Sequence, residues 1–166
     1  MKTVTILLVL FFCNTIHSQI LISTGGTVPV SGGELFYDAG GLAGNYPVTN
    51  YTITLSPAVP GQMVSIDFTY FKTQFSAFDE DALFIYDGAT ATGNNIGKLM
   101  GDYSKKTGNS STPYGVGRGN TNSADVLNIF KPTIFSATNS TGCLTLKFVV
   151  QTTSAAFPGW EATVST

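Results

Sequence analysis

Apolar and polar residues alternate with period two through most of the hydrophobic segments, the pattern of strands that bury one face. In "YTITLS" Tyr51, Ile53 and Leu55 fall on one side, and in "VSIDFTYF" Val64, Ile66, Phe68 and Tyr70 do. Between them "PAVPG" reads as a turn, since Pro fixes φ and Gly61 can take a positive one. "DALFIYDG" differs, because Ala82, Phe84 and Tyr86 alternate with Leu83 and Ile85 and both faces are apolar. "IGKLMGDY", "VLNIF", "TIFSA", "CLTLKFVV" and "WEATV" follow, with Leu144, Leu146, Phe148 and Val150 sharing a face. Eight or more short strands separated by turn signals, with no helical period of useful length, predict an all-β fold: a two-sheet antiparallel β-sandwich. Phe68, Leu83, Ile85, Leu146, Phe148 and Trp160 are its expected core.

The first residues break the pattern. "MKTVTILLVLFFCNTIHSQ" has a Lys, an apolar run from Val4 to Phe12 and a polar stretch reaching Ser18, the layout of a secretory signal peptide over 1–18 with cleavage after Ser18. A lipid anchor on Cys13 is the competing reading, and the bulky Phe12 before it argues against that. Cleavage removes His17, the only His, and leaves Cys143 as the only Cys. Ser-His-Asp and Cys-His catalytic groups, and zinc sites of His and Cys, are then impossible within the chain. About 148 residues remain, 19–166, enough for one domain with a full core. Charged residues make up 11% of the chain and its net charge is −2, which gives no electrostatic footprint for nucleic acid or an anionic membrane.

Several features carry candidate chemistry. Asp79, Glu80 and Asp81 stand together before the "ALFIYDG" strand, where they could hold a cation or simply solvate its rim. "KKTGNSSTPYGVGRGNTN" is a long Gly/Ser/Asn-rich loop; its "GVGRGN" loosely resembles a phosphate loop, but no helix follows to supply the dipole. The sequons at Asn50, Asn109 and Asn139 matter only in a eukaryotic secretory host. For Cys143 two readings stand, a buried inert thiol and an intermolecular disulfide.

"FYDAGGLAGNYPVTNYTITLSPAVPGQMVSIDFTYFKT", then "DALFIYDG", "GCLTLKF" and "GWEATV", together resemble the bacterial branch of the CUB domains in order and spacing, from Phe36 to Val164. The resemblance implies a compact jelly roll used outside cells to bind proteins or glycans, and it does not imply an enzyme. Against relatives, about 105–131 looks like an inserted loop, and Ser56 and the "TVST" end replace cysteines common in the family. The resemblance also implies a calcium site at one end of the sandwich. Carried over by position, its ligands are Tyr46, Gln74, Asp81 and Thr152, two of them neutral where the family has carboxylates. Asp79 and Glu80 could compensate. A hard divalent ion wants six to eight oxygens and usually several carboxylates, so this is a degenerate calcium site, and no cofactor is otherwise expected.

The leading functional expectation is a secreted, non-catalytic binding module at or near the cell surface, with an extracellular protein or glycan as partner. Two alternatives are a structural or accessory subunit of a surface assembly or filament, and a carbohydrate-active jelly-roll enzyme. The enzyme needs a carboxylate pair across a cleft, which only Asp81 or Glu80 with Glu161 or Asp87 could supply. Glycan binding calls for exposed aromatic rings. Tyr103, Tyr114 and Phe157, with Arg118 in the long loop, are the candidate contact residues.

Overall fold

The computed structural model describes residues 18–74, 81–101, 134–151 and 157–166. Residues 1–17 of the proposed signal sequence, the "VLNIF" segment, the inserted loop, Asp79, Glu80, Thr152, Tyr103, Tyr114 and Arg118 therefore lie outside the described residues. Within them are ten strands: β1 (Gln19–Leu21), β2 (Gly26–Val30), β3 (Leu35–Tyr37), β4 (Tyr51–Pro57), β5 (Ser65–Lys72), β6 (Ala82–Asp87), β7 (Asn94–Leu99), β8 (Ile134–Ser136), β9 (Leu144–Val149) and β10 (Gly159–Ser165). They form two five-stranded sheets, β1-β3-β10-β5-β8 and β2-β4-β9-β6-β7.

The expected sandwich is present, with one difference. Neither sheet is wholly antiparallel, because β1 pairs parallel to β3 and β2 parallel to β4. Each parallel pair takes one strand, β1 or β2, from the residues ahead of Phe36, where no strands are expected from the sequence. The segment is too short and too lightly patterned to announce itself, yet it contributes Ile20, Ile22 and Val30 to the core.

The inner faces meet in rows. In one sheet Ile20, Phe36, Ala162 and Phe68 lie side by side, and in the other Ile53, Leu146, Ile85 and Gly97 do. All six residues expected in the core are buried. Gly97 lets the sheets close, because a Cβ there would run into the Phe135 ring of the opposite sheet. Trp160 is the centre of an aromatic cluster: it stacks on Phe71 at 5.8 Å between centroids and takes Phe148 edge-on at 4.9 Å.

Strand β5 corrects the simple alternation. Phe68 is paired with Ala162 and Tyr70 with Glu161, so Thr69 is an extra residue with no partner across the ladder. This bulge reverses the parity beyond it. Phe71, not Tyr70, points into the core, at 1% exposure. The "PAVPG" turn is as expected, with Gly61 at φ 87°.

Candidate functional site

At one end of the sandwich, hydrogen bonds tie residues far apart in sequence to a single carboxylate. Asp81, immediately before β6, is fully buried. The Tyr46 hydroxyl donates to its Oδ2 at 2.6 Å, and the Gln151 N–H donates to its Oδ1 at 2.8 Å. The Tyr46 oxygen accepts the Gln74 N–H at 2.9 Å, while the Gln74 carbonyl accepts the Asp81 N–H at 3.1 Å. Thr73 extends the network: its hydroxyl donates to the Asp81 carbonyl at 2.8 Å and accepts the Gly101 N–H at 3.1 Å. The Tyr46 ring stands edge-on against Phe148 at 5.0 Å, which couples the network to the core. Burial first, then donation to Asp81, raises the Tyr46 phenol far above its ordinary range. It stays protonated, so that it donates to Asp81 while its oxygen accepts the Gln74 N–H.

A second buried carboxylate fastens the segment leading into Tyr46. Asp38, from "YDAGG", accepts the Gly40 N–H at 2.6 Å and the Trp160 N–H at 3.2 Å. Its burial lifts the carboxyl to about 6, against the pull of those hydrogen bonds. Gly159 sits at φ 71°, and a Cβ there would collide with the Asp38 carboxylate, so glycine is required on both counts. From Asp38 to just beyond Tyr46 the chain presents Leu42 at 70% and Val48 at 48% exposure. Sequence reasoning missed Asp38, Leu42 and Val48. "YDAGG" was a visible signal for Asp38, but nothing local showed that the two apolar side chains would face water.

Tyr46, Gln74 and Asp81 thus lie together at one end. Phe157 is half-buried with its ring packed on the core, and its carbonyl accepts the Tyr46 N–H at 3.3 Å, so it helps build this end. The donor set is poor for calcium. The described members offer one carboxylate, both of whose oxygens already accept hydrogen bonds, and Gln74 contributes through its backbone. Among the described residues no three His, Cys, Asp or Glu are grouped so as to hold a metal ion.

The two described carboxylates that could pair with Asp81 across a cleft lie elsewhere. Asp87 ends β6, about 20 Å along the strand from Asp81 at ordinary strand rise. There it accepts from the Thr138 N–H at 2.9 Å, the Asn139 N–H at 3.2 Å and both side chains. Partial burial works against its ionisation, but these bonds together prevail and hold it at about 2. Glu161 lies in the opposite sheet and accepts from the Thr69 hydroxyl. Asp81 therefore forms no cleft pair with either. Cys143 is buried, 7% exposed, with its Sγ 3.6 Å from the Thr141 carbonyl oxygen. The Asn139 side chain of the "NST" sequon is committed to Asp87 and the Cys143 carbonyl.

Two mixed sheets closed over one aromatic core, without an α-helix among the described residues, define a jelly-roll sandwich of the CUB-like kind. Among solved structures, the CUB1-EGF-CUB2 domains of rat MASP-1 match it with a TM-score of 0.52 and 15% identity, over 84% of this chain and 42% of that one. At that identity the likeness concerns the fold alone, and the chain spans less than half the length of its neighbour. No family model matches, and no curated protein does.

Proposed function

We propose that the protein is a non-catalytic binding module, exported and at work outside the cell or on its surface, that holds a protein or glycan through the end where Tyr46 and Asp81 meet. The observation that carries this reading is the segment between Asp38 and Tyr46 with the residues just beyond it. It is fastened by two buried carboxylates, yet it leaves Leu42 and Val48 in solvent. Apolar side chains on a fixed surface segment gain about 25 cal/mol per Å² when a partner covers them, without the entropic cost of ordering a loose loop. The CUB-like fold supports the same reading, because the sequence resemblance implies binding domains that act outside cells. The signal-peptide pattern of the first 18 residues supports export.

The test is capture from the native cell surface by immobilised wild-type protein and by a Leu42→Asp/Val48→Asp variant. Both positions are exposed, so the variant should melt with the wild type. Loss of the captured species with an unchanged melt supports the assignment. Undiminished capture places the binding surface elsewhere.

A further inference from the structure

The outer face of the β2-β4-β9-β6-β7 sheet carries a row that the loop-bearing end does not explain. Directly paired positions set Thr52, Lys147, Phe84 and Lys98 side by side across β4, β9, β6 and β7. With neighbouring strands about 4.8 Å apart, the backbones of the two lysines stand about 10 Å apart, with Phe84 between them. The Lys98 ammonium lies 5.6 Å from the centre of the Phe84 ring, and Lys147 is exposed. Tyr86, two residues further along β6, is half-buried on the same face. Lys147, Phe84, Lys98, Tyr86 and the exposed Gln151 are among the residues lining a depression of about 190 Å³. Among the described residues no carboxylate lines it, although the chain has ten acidic residues against eight basic ones.

We propose that this depression is a subsite for an acidic saccharide, taking one carboxylated or sulfated unit of a longer extracellular polysaccharide. Charge complementarity selects the sign of the occupant: two cations flank the depression on a protein of net charge −2. The aromatic pair offers apolar ring surface for the C–H face of a sugar, and the Gln151 amide offers a donor and an acceptor for hydroxyls. Volume limits the size of what enters. Pockets for drug-sized ligands run to about 300–1,000 Å³, and this one is smaller, so it seats a single unit and leaves the rest of a polymer in solvent. The site is on the flank of the sandwich, and it stands whatever partner the Leu42/Val48 end takes.

The experiment is affinity electrophoresis of the purified protein through gels containing polygalacturonate, dextran sulfate, neutral dextran or poly-glutamate. Retardation is expected in at least one of the two acidic polysaccharides and not in neutral dextran, and it should diminish as salt is raised. Lys98→Gln and Lys147→Gln should each weaken the interaction about tenfold, the scale of one hydrogen bond to a charged group. The Leu42→Asp/Val48→Asp variant should be retarded like the wild type, which separates this site from the loop-bearing end. No retardation by either acidic polysaccharide overturns the proposal. So does unchanged retardation of a folded Lys98→Gln/Lys147→Gln double variant, or equal retardation by poly-glutamate, which would make the face an acidic-peptide surface.

Discussion

Asp81 is fully buried with both carboxylate oxygens engaged, and the buried Tyr46 hydroxyl has no solvent to turn to if it is removed. A buried donor left unpaired costs about 1–3 kcal/mol. Asp81→Ala is therefore expected to lower the unfolding free energy by about 3 kcal/mol in a urea titration, and Tyr46→Phe by about 2 kcal/mol. The double variant should lose less than the two together, because both single changes break the same 2.6 Å bond. Asp38 has a pH signature of its own. Its folded carboxyl is raised from 3.8 to about 6, so the folded state binds its proton more tightly than the unfolded chain does. Its stabilising contribution is complete below pH 3.8, declines as the pH rises to about 6 and is absent above. Asp87, held at about 2, behaves oppositely and contributes above 3.8, losing its effect as the pH falls towards 2. Urea titrations between pH 4 and 6 should show a decline in the wild type that Asp38→Asn removes.

Among the elements, β5 shows how one residue alters what a strand buries. Its first half obeys the alternation that places Ile66 and Phe68 inward. The unpaired Thr69 then shifts the parity, so that Phe71 reaches Trp160 and Tyr70 turns to the half-exposed side. Plain alternation makes Tyr70 the core residue and Phe71 the expendable one, and the bulge exchanges them. Phe71→Ala should cost about 3–5 kcal/mol, as large-to-small changes of buried aromatics do. Tyr70→Ala should cost well under half as much; an inverted ranking in chemical denaturation would exclude the bulge. In β6 the alternation holds over the whole strand, with Leu83 and Ile85 in the core, while Ala82 and Phe84 pack on the outside with Met100. The strand apolar on both faces in the sequence therefore serves two surfaces, and the outer one lies between two lysines.

At the scale of the whole molecule, the end of the sandwich is held by a neutral donor and backbone amides in a position where the sequence resemblance implies a cation. Tyr46, Gln74, Gly101 and Gln151 come from four separate parts of the chain and meet around Asp81 and Thr73. A network satisfied in this way gains little from an added ion, since an ion would first have to displace hydrogen bonds already made. The melting temperature is expected to be the same in millimolar calcium and in chelator. A calcium site would instead add about 2.7 kcal/mol at a hundredfold excess over its dissociation constant, a rise easily seen by calorimetry.

Period-two alternation and turn chemistry by themselves determined the described strands from Tyr51 onward, the inward set Phe68, Leu83, Ile85, Leu146, Phe148 and Trp160, and the closing of those strands into a sandwich. These features are local, since a side chain's face follows from its parity and a turn from the residues within it. The order of motifs around Tyr46, Gln74 and Asp81 placed the three at one end. Only the tertiary structure decided the rest. The parallel edges built by β1 and β2 depend on finished strands for their partners, and the bulge at Thr69 appears only against the register of β10. Burial of Asp38 depends on Trp160, 122 positions away. The row of Thr52, Lys147, Phe84 and Lys98 is drawn from four strands, and no window of sequence contains it, because hydrogen bonding between strands, not position along the chain, makes them neighbours.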